Sequence, residues 1–240
     1  MNRIRVVSPG LLTTVQDLGR FGWAHFGVSA SGAADALALR AGNLLVGNAE
    51  GAAALEMTLA GGAFEFEAPA VIALTGSDFG AGLPLWSAVE VRAGETVRCG
   101  LTRSGARAYL AVRGGLAAER AMGSASVHVA TGVGGRPLQK GDMLPVGEEA
   151  VRRPRAGQAA PPAGERAGAL RVTPSAQAEW FGDELYCGAY LVTEESDRMG
   201  LRLRGAAIPS PAGHMPTEGV PLGAIQAPPD GQPIILFVEH

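Results

Sequence analysis

The segment Thr13-Thr14-Val15-Gln16-Asp17-Leu18-Gly19-Arg20 places an amide, a carboxylate and a guanidinium in one short stretch of chain. Arg20 can grip a carboxylate or phosphate through two parallel hydrogen bonds. Asp17 can serve as acid or base, orient Arg20, or simply pair with it to stabilise a loop. A second segment, Val28-Ser29-Ala30-Ser31-Gly32-Ala33-Ala34-Asp35, leads into a helix. Backbone N–H groups at a helix start make an anion site to which Ser29 and Ser31 can add hydroxyls. The same residues also read as plain capping, with Ser31 as the cap and Asp35 near the dipole. Ser196-Asp197-Arg198 repeats the chemistry of the first segment, as a second clamp or as a polar turn. Glu218 and Gln226 stand among glycine and apolar residues, where they either face a site or sit in exposed turns such as Pro229-Asp230-Gly231.

Composition excludes several other chemistries. The 240 residues carry 20 basic and 23 acidic side chains, a net charge of −3, so a general nucleic-acid footprint is missing. Lys140 is the only lysine, and Gly141 follows it, so no GxxxxGK[ST] phosphate loop exists. A carrier or Schiff-base lysine could only be Lys140. Cys99 and Cys187 form neither a CxxC pair nor a disulfide framework. His25, His128, His214 and His240 have no metal-ligand spacing, so no metal site is expected. There is no GxSxG elbow. The start, Met-Asn-Arg-Ile-Arg-Val-Val, lacks a signal-peptide stretch, and runs such as Ile234–Val238 are far too short to span a membrane. A cytoplasmic location is the expectation.

These residues must be positioned by short elements. Glycine is abundant, 35 residues, and follows no fixed period. Arg3–Val7, Ala63–Glu67, Val71–Leu74, Val89–Arg92, Thr96–Cys99 and Tyr109–Val112 read as strands, the fourth and fifth alternating about the turn Ala93-Gly94-Glu95. Residues 13–32 read as a long loop, and a helix follows over 33–46, with Leu37, Ala41, Leu44 and Leu45 at helical spacing. Gly47-Asn48 can close it. Turn signals every 8–12 residues or so indicate an all-β barrel or sandwich. Charges and prolines over 151–168 mark a linker between a domain at 1–150 and a second region at 169–240. That region offers a helix-like piece at Ala176–Phe181 and strands at Tyr190–Thr193 and Pro233–Val238.

In order, TTVQDLGRFG, GVSASGAAD, LEMTLAGG, ALTGSD, AYLAVRGG, GGRPLQKGD, SDRMGLRL and TEGVPLGAIQAPPDGQPI resemble the biotin-dependent carboxyltransferase / allophanate hydrolase subunit 2 family over nearly the whole chain. The resemblance implies a mainly β fold of two cyclophilin-like barrels with a few short helices. It implies two partners, the A and B subunits of 5-oxoprolinase, the latter being allophanate hydrolase subunit 1-like. It also implies a part in ATP-dependent opening of the 5-oxo-L-proline lactam to L-glutamate, with ATP bound with or by the B subunit. The alternatives are the carboxyltransferase half of a biotin-dependent urea carboxylase-like enzyme, or a non-catalytic partner of the B subunit. Carried over by motif, Asp17, Arg20, Asp197 and Arg198 become candidate catalytic groups. Gln16, Ser29, Ser31, Asp35, Ser196, Glu218 and Gln226 become candidate substrate contacts.

Three stretches depart from the family pattern. Gly123–Thr131 differs from the usual Ser-Arg-Ser/Thr-containing stretch. Thr173-Pro174-Ser175-Ala176-Gln177 replaces a Gly-Pro-Gln pattern. Family chains continue past the position of His240 into a Gln-Thr-Thr-Gly-Gly-Tyr-Pro motif, so a second barrel cut short is the expectation.

Overall fold

Strands that alternate apolar and polar residues can bury one face, and strands of either kind, alternating or wholly apolar, pair into three antiparallel sheets among the described residues. The computed structural model describes residues 2–148, 150–155, 157–159, 168–209 and 218–240. The chain divides into two compact units, Met1–Ala163 and Gly164–His240. Much of the expected linker over 151–168 lies outside the described residues, as do His214 and Thr217.

Unit 1 contains strands β1 (Arg3–Ser8), β2 (Leu12–Gln16), β3 (Ala54–Thr58), β4 (Ala63–Phe66), β5 (Ala70–Gly76), β6 (Ala88–Val91), β7 (Thr96–Arg98), β8 (Arg107–Val112) and β9 (Met143–Pro145), with helix α1 (Ala36–Val46) between β2 and β3. One sheet runs β2-β3-β8-β5-β6 and another β7-β4-β1-β9. The mainly β expectation is borne out. Among the described residues the pairing leaves each sheet open, and no barrel closes.

The two sheets share a core of Ile4, Val6, Leu55, Met57, Phe64, Phe66, Ile72, Leu74 and Leu110. Each such side chain contributes about 1.5–3 kcal/mol by leaving water. The opposite face of the five-stranded sheet receives α1 through Leu39, Leu45 and Val46. Alanines 54, 73 and 111 keep that face shallow. Gly42 lets the helix approach, because a Cβ there would lie 2.9 Å from Thr75 Oγ1.

The structure corrects three readings of the sequence. Residues 12–16 are a strand, not part of a long loop, because Leu12 through Gln16 pair with Thr58 through Ala54. The strands flanking Ala93-Gly94-Glu95 do not form a hairpin. β6 pairs with β5 and β7 with β4, so the turn carries the chain from one sheet to the other. The helix starts at Ala36, three residues later than the expected 33–46, and Gly47 closes it in the left-handed conformation.

Among its described residues unit 2 holds one four-stranded sheet. Its strands are β10 (Leu191–Val192), β11 (Gly200–Arg204), β12 (Ile225–Gln226) and β13 (Ile234–Leu236), in the order β10-β11-β13-β12. The helix-like piece near 176–181 is a 3-10 turn at Ala178–Trp180.

Candidate functional site

In unit 1 the chemistry gathers where β2 leaves the five-stranded sheet and the chain returns to start α1. Strand pairing sets Thr14, Glu56, Tyr109 and Thr75 side by side on the face that receives the helix. Gln16 ends β2 on the same face and is wholly buried. Its Nε2 donates to Thr14 Oγ1 and to the Val127 carbonyl, each at 2.9 Å. Ser31 Oγ donates to that same carbonyl at 3.3 Å.

Asp17 is buried and surrounded by donors. Its Oδ1 accepts from Ser124 Oγ at 2.5 Å, Ser126 Oγ at 2.6 Å and the Gly19 amide at 2.8 Å. Its Oδ2 accepts the Ala125 amide at 2.7 Å, with Arg120 Nη1 at 3.6 Å. Burial alone would raise the pKa of this carboxyl, but the hydroxyl and amide donors outweigh it and hold the carboxyl below its ordinary range. A carboxylate saturated in this way orients its neighbours better than it moves protons at neutral pH. Arg20, 2% exposed, does not pair with Asp17 in the manner of a surface loop clasp. Its Nη2 donates to the Ser126 carbonyl and its amide to the Ala30 carbonyl.

The two loops touch through glycine. A Cβ on Gly19 would meet the Ala30 carbonyl oxygen at 2.7 Å, and one on Gly32 would meet the Leu18 carbonyl oxygen at 2.9 Å. Both have φ near +95°, a conformation that side chains rarely adopt. Between them, residues 21–27 are exposed, with the rings of Trp23 and Phe26 6.0 Å apart.

The helix start is capped by Asp35, not Ser31: Asp35 Oδ1 accepts the Ala38 amide at 2.9 Å. The amides just before it are also taken. Ala33 donates to the Asp17 carbonyl, Ala34 to Glu56 Oε2 and Asp35 to Tyr109 Oη. An anion site at this helix start would therefore have to displace existing partners. Ser29 Oγ accepts the Ser31 amide at 3.2 Å, and Ser31 itself has φ +54°.

In unit 2 the expected residues separate. Arg198 is buried, its Nε 2.5 Å from Glu239 Oε1. Asp197 is exposed and accepts the amides of Met199 and Gly200, and Ser196 Oγ accepts the Arg202 amide, so both shape the turn into β11. Glu218 and Gln226 line a cleft of about 1270 Å³ with Gln177, Trp180, Phe181 and Tyr186. Gln177 Nε2 donates to Glu218 Oε1 at 2.7 Å. Ser196, Asp197 and Arg198 do not line it.

Sequence reasoning missed Glu56, Tyr109, Ser124, Ser126 and Glu239. Glu56 did carry a signal, a carboxylate inside the apolar strand Ala54–Thr58. Among the described residues no group of three or more His, Cys, Asp or Glu could hold a metal ion. No described helix is long and apolar enough to cross a membrane.

Comparison with known proteins gives one consistent relationship. The family model for the carboxyltransferase domain, subdomain A and B, matches residues 26–240. The chain is 35% identical to the C subunit of 5-oxoprolinase from Haemophilus influenzae, over 94% of its own length and 76% of the relative's. It is equally identical to the corresponding protein of Escherichia coli, over 98% and 79%. Urea amidolyase of Saccharomyces cerevisiae is 40% identical over 59% of this chain, which covers 8% of that protein. The crystal structure of TTHA0988 superposes with a TM-score of 0.84 at 35% identity, over all of this chain and 49% of that one. The chain thus spans about three quarters of the two 5-oxoprolinase relatives and about half of the TTHA0988 chain.

Proposed function

The chain belongs to the carboxyltransferase domain family, subdomain A and B, and on that premise we propose that it is the C subunit of ATP-dependent 5-oxoprolinase, opening the 5-oxo-L-proline lactam to L-glutamate together with the A and B subunits. One observation carries this reading. Identity to proteins named as the C subunit of 5-oxoprolinase is 35% through 94–98% of the chain, whereas the Kluyveromyces lactis urea amidolyase structure, which covers 99% of it, is 28% identical, and the 40% identity to Saccharomyces cerevisiae urea amidolyase is confined to 59%.

The chemistry suits it. A lactam is a poor electrophile, and opening its C–N bond with water is assisted by donors that meet the charge developing on the carbonyl oxygen. In this proposal the loops at 16–35 serve the amide in unit 1. Arg20 supplies positive charge, Ser29 and Ser31 supply hydrogen bonds, Gln16, whose two Nε2 hydrogens are already taken, offers its Oε1 as an acceptor, and Asp17 orients the set. Asp35 holds the helix start. Glu218 and Gln226 serve as polar contacts in the cleft of unit 2. Arg198, already engaged by Glu239, fits a structural part better than a substrate clamp. The buried set in unit 1 includes the carboxylates Asp17 and Glu56 and no lysine, a poor match for a triphosphate, so we assign ATP to a site with or on the B subunit. The same set offers no lysine to carry biotin.

The test is co-expression with the A and B subunits. Release of glutamate and ADP from 5-oxo-L-proline is expected. A complete, folded assembly without turnover overturns the reading. The 40% identity to urea amidolyase favours a second reading, carboxyl transfer from carboxybiotin to urea or a similar amide. Avidin-sensitive carboxylation of urea by the assembly, without glutamate release, would establish it instead.

A further inference from the structure

Glu56 and Tyr109 take no part in the proposed chemistry, yet they sit beneath it. Both are buried, at 1% and 0% exposure, on adjacent strands β3 and β8. Tyr109 Oη donates to Glu56 Oε2 at 2.7 Å and accepts the Asp35 amide at 2.7 Å. Glu56 Oε2 also accepts the Ala34 amide at 2.8 Å. Arg107 Nε lies 3.7 Å from Glu56 Oε1, setting a cation against the buried charge. Burial, with the Glu56 charge beside it, pushes the Tyr109 hydroxyl well above its ordinary range, so it stays a donor.

A carboxylate in the middle of an apolar strand is costly unless its oxygens are met. Here Oε2 is met by two consecutive amides of the loop backbone, one directly and one through a phenol, while Arg107 faces Oε1. The Asp17 loop is held from another direction, by Ser124 and Ser126. The Gly19–Gly32 approach joins the two loops. We propose that Glu56 and Tyr109 are positioning residues that fix the Ser29–Asp35 segment against the Asp17–Arg20 loop and so set the geometry of the unit 1 site. The proposal rests on the oxoprolinase reading for its activity readout but not for its structural one.

The test uses Tyr109→Phe and Glu56→Ala, with Glu56→Gln as the conservative variant. Amide hydrogen exchange is measured on the full chain, and kinetics on the complete assembly. In Tyr109→Phe and Glu56→Ala the Ala34, Asp35 and Ala38 amides are expected to exchange at least roughly tenfold faster, the size of losing a hydrogen bond to a charged group. The Val6 and Phe66 amides in the other sheet stay as they were. The kcat/KM for 5-oxo-L-proline falls by about the same factor, with the KM for ATP unchanged. Glu56→Gln, which keeps an acceptor oxygen, recovers most of both. Exchange that quickens uniformly across both sheets, or activity per folded molecule that does not change, overturns the proposal. If the wild-type assembly never turns over, the oxoprolinase reading fails, and local exchange alone decides the positioning.

Discussion

Ser126 and Asp17 bind each other twice. The hydroxyl of Ser126 donates to Asp17 Oδ1 at 2.6 Å and accepts the Asp17 amide at 2.9 Å. One side chain thus fixes both the carboxylate and the backbone of the residue that starts the first loop. The pair lies 109 positions apart in the chain.

This clasp predicts a specific acid response. The folded state holds the Asp17 carboxyl below its ordinary value through hydroxyl and amide donors that outweigh burial. Its stabilisation is therefore complete above the ordinary carboxylate range and is lost as pH falls through the lowered folded value. Asp17→Asn is expected to be less stable than wild type at pH 7. The gap should begin to narrow as the pH falls below about 4. Urea midpoints measured from pH 7 down to pH 3 check this, and a constant gap across that range counts against it.

Arg198 and Glu239 form a pair almost wholly removed from water. Removing one partner takes the nearest counter-charge away from a buried one. Arg198→Met or Glu239→Leu alone is expected to cost about 3–5 kcal/mol. The double change Arg198→Met with Glu239→Leu should cost less than either single, since neither charge then stays buried without the other. Denaturant unfolding of all four proteins supplies the cycle. Additive losses would argue that the pair is not coupled.

Gly42→Leu on α1 improves helix propensity by up to about 1 kcal/mol. It also drives a side chain into Thr75 and Ala111, 2.9 and 3.3 Å from where its Cβ would sit. Overpacking of this kind costs about 1–3 kcal/mol, so a net loss is expected. Leu37→Ala, at an exposed position of the same helix, serves as the control and should shift stability by less than about 0.5 kcal/mol. Thermal melts of the two variants decide it, and a Gly42→Leu protein as stable as wild type would contradict the close approach.

The two thiols differ in reach. Burial pushes Cys99 up to about 11, while Cys187 is exposed. A thiol-reactive disulfide at pH 8 is expected to label Cys187 alone in the folded chain and both after denaturation. Peptide mapping reads the result. Rapid labelling of Cys99 in the native state would contradict its burial.

Much of the fold was legible. Strict alternation gave β4, and apolar runs gave β5 and β8, because such patterns bury a sheet face without outside help. The C-terminus of α1 was readable from Gly47, which takes the left-handed conformation. β2 was not. Thr13, Thr14 and Gln16 look like loop residues until their partners are known. Thr14 and Gln16 become strand residues only because β3 supplies the pairing and the Val127 carbonyl receives Gln16. The candidate site was half legible for the same reason. Gln16, Asp17 and Arg20 announce themselves by type. Their holders, Ser124 and Ser126, are small hydroxyl residues that carry no local signal. Arg198 drew attention as a clamp because its carboxylate, Glu239, lies 41 residues further on.

The Gly19–Gly32 approach, with the Arg20–Ala30 backbone hydrogen bond beside it, closes the chain on itself at the root of residues 21–28. What lies beyond that root is an appendage hung from a pinned neck. Its length and sequence can change without pulling on Asp17 below or Asp35 beyond, as in compact surface loops whose ends meet. Relatives could therefore redraw this excursion, aromatic tip included, while inheriting the groups beneath it unchanged. For an engineer it is the natural place to graft a foreign loop onto this domain.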